Sequence, residues 1–229
     1  MTVWYEVEDA LDQIIEDYEK VNHVISLYQD DKNRLKGLKM VGDIEGAALE
    51  LGCGPGNYSR MIKTVHHGEL VCLDFSDKML NVARLRNRTP RFSYVRGVFE
   101  ALPFRDGAFQ FVTAAFALRD TLDKPKAYNE ASSVMANGGK FLLIDIGKPD
   151  NRLIRGFMGV FMRFIVPIMG GLTAGYGHKN PWGILFSTFK LLPSNGDLRH
   201  LIEKKIGEVK SSEDLFGGLL IAVAHKVNR

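Results

Sequence analysis

A short apolar run followed by three closely spaced glycines is the feature that most constrains this chain. The run spans residues 47–51, and the glycines follow at alternate positions as Gly52, Gly54 and Gly56. Such a run predicts a buried strand, and glycines let the chain turn sharply and pass close to a ligand because they have no Cβ. A second apolar run ends at Asp74, where a carboxylate can accept hydrogen bonds from a ribose diol. The pattern therefore predicts a site for an adenosine-containing ligand.

The glycine spacing distinguishes two classes of ligand. Dinucleotide sites use Gly-x-Gly-x-x-Gly and place a pyrophosphate at a helix N-terminus. Here the spacing is Gly-x-Gly-x-Gly, and Asn57 and Tyr58 stand where the later glycine would fall. Glu50, just before the loop, suits a cationic amino acid or sulfonium better than a dianionic pyrophosphate. A dehydrogenase is therefore disfavoured, and a purely structural strand-to-helix turn stays open as the alternative.

Length, charge and cysteine content narrow the class of protein. A chain of 229 residues with 45% hydrophobic content can bury the core of one domain. A net charge of +3 within 25% charged residues is too mild to indicate a nucleic-acid partner. Cys53 and Cys72 make no disulfide framework, and we expect a cytoplasmic protein because no secretory signal is evident. His66 and His67 have no cysteine or carboxylate at ligand spacing, so we expect no metal site.

Hydrophobic periodicity predicts an α/β fold. Residues 7–40 repeat apolar positions at helical spacing and predict one or two amphipathic helices. From residue 47 onward strands alternate with helices, which predicts a doubly wound, mostly parallel sheet covered on both faces. The predicted strands are 47–51, 69–73, 92–96, 109–115 and 139–145, with two more near 205–211 and 218–225, and the predicted helices are 57–65, 77–86 and 124–136. Ser76 is predicted to cap the helix 77–86.

We expect a single domain of four parts. They are an N-terminal helical lid (1–43), a cofactor-binding core (44–147), a substrate-lid insertion (148–195) and the C-terminal strands (196–229). The insertion lacks the alternation of strands and helices, and it lies by the carboxyl edge of the sheet, where open α/β folds bind ligands. Its apolar stretch 153–176 contains two arginines and a proline, so we expect it not to cross a membrane.

Several longer segments resemble one enzyme family. The glycine loop with Glu50 resembles motif I of the class I S-adenosylmethionine-dependent methyltransferases. Three further segments are similar to the ubiquinone/menaquinone-biosynthesis C-methyltransferases: Glu100-Ala-Leu-Pro-Phe, Ala115-Phe-Ala-Leu-Arg-Asp120 and Ala136-Asn-Gly-Gly. Matches near the ends are Tyr18, Asn22, Ser26 and Gly217-Gly218, so the resemblance covers nearly the whole chain.

The resemblance implies S-adenosylmethionine as the cofactor and a seven-stranded sheet that ends in an antiparallel hairpin. The residues that it implies at the cofactor are Tyr18, Glu50, Gly52, Cys53, Gly54, Gly56, Asp74, Phe75, Met79, Val98, Phe99 and Ala115. Some positions depart from the family's pattern. Val98 and Phe99 replace an acidic or amide residue and an alanine, so only the Phe99 amide carries over as an adenine contact. Pro55 and Ala115 replace a threonine and a serine.

Three residues are candidates for the chemistry. Arg119 could stabilise a phenolate or orient a water, or it could only form a salt bridge to Asp120 or Glu100. Asp120 stands where the family has asparagine. His178 could act as a general base because imidazole titrates near neutrality, although a lone loop histidine is more often simply solvated. Tyr18 could cover the cofactor as part of a lid, or it could serve only as packing.

The implied substrate is a prenylated quinol that receives a methyl group on a ring carbon. An apolar stripe at helical spacing within 157–169 is usually core, but it could also hold the substrate's tail or touch a membrane, with nearby arginines at lipid headgroups. The same surface could serve a homodimer. Two other functions stay open: methylation of another small apolar molecule at oxygen or nitrogen, and a non-catalytic subunit that binds S-adenosylmethionine.

Overall fold

A computed structural model describes residues 18–175 and 181–227, without the side chains of Tyr18, Pro181 and Ile184. His178 therefore lies outside the described residues. The helices are α1 Tyr18–Ile25, α2 Asp30–Val41, α3 Asn57–Val65, α4 Asp77–Arg86, α5 Lys124–Val134, α6 Arg152–Val160, α7 Val166–Ala174, α8 Ile184–Leu191 and α9 Asn195–Lys205. The strands are β1 Ala48–Leu51, β2 Leu70–Asp74, β3 Phe92–Arg96, β4 Phe109–Ala115, β5 Met135–Ile146, β6 Val209–Asp214 and β7 Leu219–His225.

The seven strands form one sheet in the order β3-β2-β1-β4-β5-β7-β6. The pairs among β1 to β5 are parallel, whereas β7 runs antiparallel to both β5 and β6. All four residues of β1 are buried, as the apolar run predicts for a strand covered on both faces. The predicted fold and the closing antiparallel hairpin are confirmed.

Two buried clusters cover the two faces of the sheet. On one face, Phe141 and Leu143 of β5 pack with Tyr128 of α5 and Ile202 of α9. On the other, Leu142 and Ile144 of the same strand pack in a cluster with Leu38 of α2 and Ile62 of α3. Successive residues of β5 thus point to opposite faces, which gives both layers of helices an apolar surface.

A third, smaller cluster lies outside the sheet. It joins Val21 of α1 to Met162 and Val166 of the insertion, together with Trp182 and Phe189. Lys20 also donates a hydrogen bond to the carbonyl of Thr173 at 3.1 Å. The N-terminal helix and the insertion therefore pack on each other and form a common cap, which we define as α1 with residues 152–175 and 181–192.

Most predicted boundaries agree with the structure, but three elements differ. The predicted helix 124–136 ends at Val134 because β5 begins at Met135. Helix α9 was not predicted, since only Leu198 and Ile202 of its apolar residues are buried. Its N-terminus does carry a signal, because Ser194 Oγ accepts a hydrogen bond from the Asp197 amide. The strand expected near 205–211 lies at Val209–Asp214.

The insertion contains one continuous helix, Arg152–Ala174, in which α6 and α7 are joined by a π-helical segment at Phe161–Ile165. By length and composition, its 23 residues are enough to cross a membrane. Length and composition alone do not show that it crosses one, because a core helix of a soluble protein passes the same test, so the expectation that it does not stays a prediction. Only 22% of its most apolar window is buried, so this helix is largely exposed.

The predicted cap of α4 is confirmed, because Ser76 Oγ accepts a hydrogen bond from the Met79 amide at 3.2 Å. We expect Ser76→Ala to lower the free energy of unfolding by about 1 kcal/mol, because that buried amide loses its acceptor. Denaturant unfolding followed by circular dichroism measures the change. The exposed Ser187→Ala in α8 is the control, and an equal change in both variants would contradict the capping role.

Candidate active site

The parallel strands bring the predicted motifs to one edge of the sheet. Leu51 of β1 stands opposite Leu73 of β2 and Ala114 of β4. The next residue of each strand is therefore Gly52, Asp74 or Ala115, and these three lie side by side at the carboxyl edge. Ligands of open α/β sheets bind at this edge where the strand order reverses, which here is between β1 and β4.

The glycine loop has the left-handed backbone that its composition predicts. Gly52, Gly54 and Gly56 have φ angles of 71°, 52° and 86°. A Cβ on Gly52 would lie 2.4 Å from the Cβ of Ala117, and one on Gly56 would lie 2.4 Å from the amide nitrogen of Asn87. A Cβ on Gly54 would meet no atom of the described residues within 4 Å, so among these residues the space beside Gly54 is open to a ligand.

Asp74 holds this loop in place. Its Oδ2 accepts a hydrogen bond from the Gly54 amide at 2.8 Å, and its Oδ1 accepts one from the Ser76 amide at 3.0 Å. The carboxylate is buried and receives both bonds at the end of β2. The structure therefore connects Asp74 to the loop directly, a contact that the spacing alone did not predict.

Glu50 lies buried beneath the loop. Its Oε2 accepts a hydrogen bond from Ser59 Oγ at 2.5 Å. Burial raises the pKa of Glu50 to about 8, although the hydrogen bond from Ser59 and the charge of Arg34 oppose the rise. Without a further cation the carboxyl is therefore mostly protonated at pH 7, and a bound sulfonium or ammonium group would favour its ionised form.

The other predicted cofactor residues occupy different environments. Val98 is partly exposed, and Phe75 and Ala115 are half-buried at the strand ends. Phe99 is buried, and its ring would lie 3.1 Å from a Cβ on Gly52, so it packs directly under the loop. Cys53 and Met79 have buried side chains. The side chain of Tyr18 lies outside the described part of the chain.

An apolar cavity of about 320 Å³ lies between the cap and the same edge of the sheet. Its polar lining includes Asp30, Arg34 and Arg119, and both arginines contact Phe116. The walls are formed largely by the insertion and by the turn between β6 and β7, and they include Ile154, Phe157, Met158, Phe161, Leu215 and Phe216. The cavity can therefore take a molecule with a polar head and a long apolar part.

Arg119 is held by two carboxylates. Its backbone amide donates to Asp145 Oδ2 at 3.0 Å, and its guanidinium lies 3.5 Å from Asp145 and 3.5 Å from Asp120. It also donates to the carbonyl of Phe116. Glu100 accepts hydrogen bonds from Thr121 and from the Leu122 amide. The hypothesised salt bridge to Asp120 is present, and Arg119 still lines the cavity.

Sequence reasoning missed two residues of this site. Asp145 lies buried near the end of β5, and burial raises its pKa to about 6 while Arg119 opposes the rise. An acid near the end of an apolar strand is the signal that identified Asp74, and it could have identified Asp145. Arg34 gives a weaker signal, because charges are dense throughout α2.

Arg34 belongs to the polar lining of the cavity, and most of its side chain is buried. It donates to Asp31 at 2.7 Å and to Asp30 at 3.3 Å, and its guanidinium lies 5.4 Å from the centre of the Phe116 ring. Among the described residues, its Nε has no hydrogen-bond partner. Arg34 therefore keeps a buried donor for which the described part of the chain supplies no acceptor.

His23, Asp30 and Asp31 have ligand atoms close enough to hold a metal ion. However, His23 Nδ1 already lies 2.8 Å from Asp30, and Arg34 donates to both carboxylates. Arg34 supplies positive charge beside these carboxylates, so the contacts of the cluster are made within the protein. The two ring nitrogens of His66, from the predicted histidine pair, lie 3.2 Å from the carbonyl oxygens of Ile44 and Glu69.

Comparisons with known proteins identify the family. The model of the ubiE/COQ5 methyltransferase family matches residues 3–226. The chain belongs to this family. It is 29% identical over 222 residues to the demethylmenaquinone methyltransferase of Lactococcus lactis, a match that covers 94% of this chain and 87% of that protein.

Solved structures share the fold at lower identity. One is the protein bound to the Trm112 methyltransferase activator of Haloferax volcanii, with a TM-score of 0.69, 17% identity and coverage of 97% and 98% of the two chains. Another is phosphoethanolamine N-methyltransferase 2 of Haemonchus contortus in complex with S-adenosyl-L-methionine. Its TM-score is 0.65 at 14% identity, and the match covers 86% of this chain and 53% of that one.

This chain is therefore an S-adenosylmethionine-dependent methyltransferase. The open space at Gly54, the carboxylate of Asp74 and the buried acid Glu50 fit a ligand with a ribose and a cationic end. S-adenosylmethionine supplies an activated methyl group, so the protein must align the acceptor and exclude water.

The raised pKa of Glu50 gives a pH-dependent affinity. We expect the binding of S-adenosylmethionine to tighten as the pH rises towards about 8, because the ionised carboxylate then stabilises the cation. Below that pH, binding should release protons, which calorimetry in buffers of different ionisation enthalpy detects. Glu50→Gln has a side chain of similar shape that does not titrate. Any pH dependence that remains in this variant therefore comes from titration of the ligand. An identical pH profile for both proteins would contradict the role of Glu50.

Proposed function

We propose that this enzyme transfers a methyl group to a ring carbon of a prenylated quinol of the demethylmenaquinol type. The observation that carries the proposal is the lining of the cavity, in which two arginines lie together at Phe116 and most of the other residues are apolar. A quinol head has oxygen atoms for the arginines, and a prenyl tail matches the apolar walls. The name of the Lactococcus lactis relative supports the same substrate class.

Arg119 is the group that we propose for the reaction. When a ring hydroxyl loses its proton, the charge moves into the ring and makes the neighbouring carbon nucleophilic. A guanidinium at that oxygen would stabilise the phenolate relative to the neutral quinol, so more of the bound acceptor would be in its reactive form. Attack of the ring carbon on the sulfonium methyl would break the C–S bond and leave S-adenosylhomocysteine, and loss of the proton from that carbon would restore the aromatic ring. Asp145 and Asp120 form salt bridges with the guanidinium and restrict its position, so we propose them as positioning residues. His178 stays a candidate general base.

The cofactor contacts are proposed at the carboxyl edge. Asp74 would accept hydrogen bonds from the ribose, Gly54 would lie close to the ligand, and the Phe99 amide would meet the adenine. Asn22 of α1 lines the cavity, and the cap as a whole would exclude water during the transfer. We place the enzyme in the cytoplasm, with peripheral membrane contact.

The test is transfer of radiolabelled methyl to reduced demethylmenaquinone. We expect Arg119→Ala to lower kcat about 100-fold or more while the affinity for S-adenosylmethionine changes little, because a transition-state contact is lost. Arg119→Lys should keep part of the wild-type kcat. The kcat of Asp145→Asn should lie between those of Arg119→Ala and Arg119→Lys. The exposed Arg105→Ala is the matched control.

Two results would contradict the proposal. Equal losses of kcat and of cofactor affinity in Arg119→Ala would make that residue structural. If S-adenosylmethionine binds but no label enters any quinol, the substrate is another apolar molecule, methylated at oxygen or nitrogen. Binding without turnover on any acceptor would instead support a non-catalytic subunit.

A further inference from the structure

The insertion helix Arg152–Ala174 exposes a continuous apolar stripe. Its members recur every three or four residues, so they lie on one face of the helix. Leu153, Phe157 and Leu172 are 76%, 78% and 81% exposed. The complete stripe is Leu153, Phe157, Val160, Phe164, Ile168 and Leu172. A soluble monomer rarely exposes a contiguous apolar surface of this kind without a partner for it.

The opposite face of the same helix packs against the rest of the protein. Met162 and Val166 are buried in the cluster with Val21 and Trp182. A helix that crossed a bilayer would have to give up this packing. The stripe and the buried face together make the helix amphipathic, which suits a position at a surface with the apolar face inserted to a shallow depth.

The charge of the insertion favours an anionic partner. Residues 151–196 contain five basic residues, Arg152, Arg155, Arg163, Lys179 and Lys190, and no aspartate or glutamate. This segment alone is more positive than the whole chain, whose net charge is +3. Arg152 and Arg163 are exposed on the insertion helix, and Lys190 is exposed on α8. Basic side chains beside an apolar face are complementary to acidic lipid headgroups.

The stripe and the cavity share a residue. Phe157 is a stripe member and also lines the cavity. Phe216 likewise lines the cavity and is 85% exposed. Leu215 and Phe216 have φ angles of 51° and 56°, a backbone conformation that is strained for residues other than glycine. An aromatic side chain held outwards at such a turn contributes further apolar surface beside the stripe.

We propose that this surface, the stripe with Phe216, docks the enzyme on an anionic lipid bilayer. The helix lies along the interface, its apolar face enters the edge of the acyl region, and its basic residues meet the headgroups. The cavity then opens towards the bilayer, so that an apolar tail can pass along Phe157 without entering water. This last step rests on the proposed function, whereas the docking itself does not depend on it.

The test is flotation of the protein with vesicles in the absence of substrate. Wild-type protein should float with vesicles of mixed phosphatidylglycerol and phosphatidylcholine, and less so with phosphatidylcholine alone or at high salt. Phe164→Ser with Leu172→Ser should lower the partition coefficient at least 10-fold, because two inserted side chains are lost. Neither residue lines the cavity. Leu85→Ser with Val65→Ser, at exposed apolar positions of α4 and α3, is the matched control.

A second pair of variants tests the charge. Arg152→Glu with Arg163→Glu should weaken binding to the anionic vesicles, whereas Arg84→Glu with Arg88→Glu, on exposed residues in and just after α4, should weaken it much less. Unchanged affinity for S-adenosylmethionine shows that each variant is folded.

Several outcomes would overturn the docking surface. One is wild-type protein that stays in solution with every vesicle. Another is an equal loss of vesicle binding in the stripe and control variants. A third is a stable dimer that the stripe variant dissociates while its vesicle binding stays unchanged. Turnover of a short-tailed soluble quinol without vesicle binding would refute docking alone. Vesicle binding without any quinol methylation would refute only the proposed function.

Discussion

The hydrogen bond from the Gly54 amide to Asp74, at 2.8 Å, is the contact on which the site depends. It joins the end of β2 to the loop after β1, and it holds Gly54 at a φ of 52° beside open space. Because β1 also pairs with β4, the same edge carries Phe116 and Arg119 into the cavity. One buried carboxylate thus fixes the loop at the proposed cofactor site, and the pairing of the strands places that loop beside the cavity that we propose for the substrate.

The sequence predicted the sheet well because a buried parallel strand has a local signature. The runs at Ala48–Leu51 and Leu70–Asp74 are apolar, short and bounded by turn residues, so each can be recognised without knowing its partner. Asp145 has the same strand-end signal as Asp74, but its hydrogen bond to the Arg119 amide could not be predicted from that signal. Arg34 could not be predicted at all, because its position beside Phe116 is a contact between residues far apart in the chain. Contacts between residues far apart in the chain leave no periodic pattern. Helix α9 was missed for another reason, since few of its residues are buried.

The cap and the sheet differ in how they are stabilised. The sheet is covered by two large buried clusters, whereas α1 and the insertion share a small one around Val166 and Trp182. Elements with fewer buried apolar contacts open at a lower free-energy cost, so the cap is the part that we expect to move when a substrate enters. We therefore propose that the sheet with its two large clusters holds the cofactor, and that the cap admits the substrate. The apolar, basic surface of the insertion belongs to the cap.

We propose that the methyl group goes to a ring carbon of the acceptor held at Arg119. The most direct measurement is carbon-13 NMR of the product formed from demethylmenaquinol and S-adenosylmethionine labelled in its methyl group. We expect a labelled methyl bonded to a ring carbon, with both ring hydroxyls intact. A labelled methyl bonded to oxygen would contradict it, because the charge at Arg119 would then have served an attacking oxygen rather than a phenolate that activates the ring.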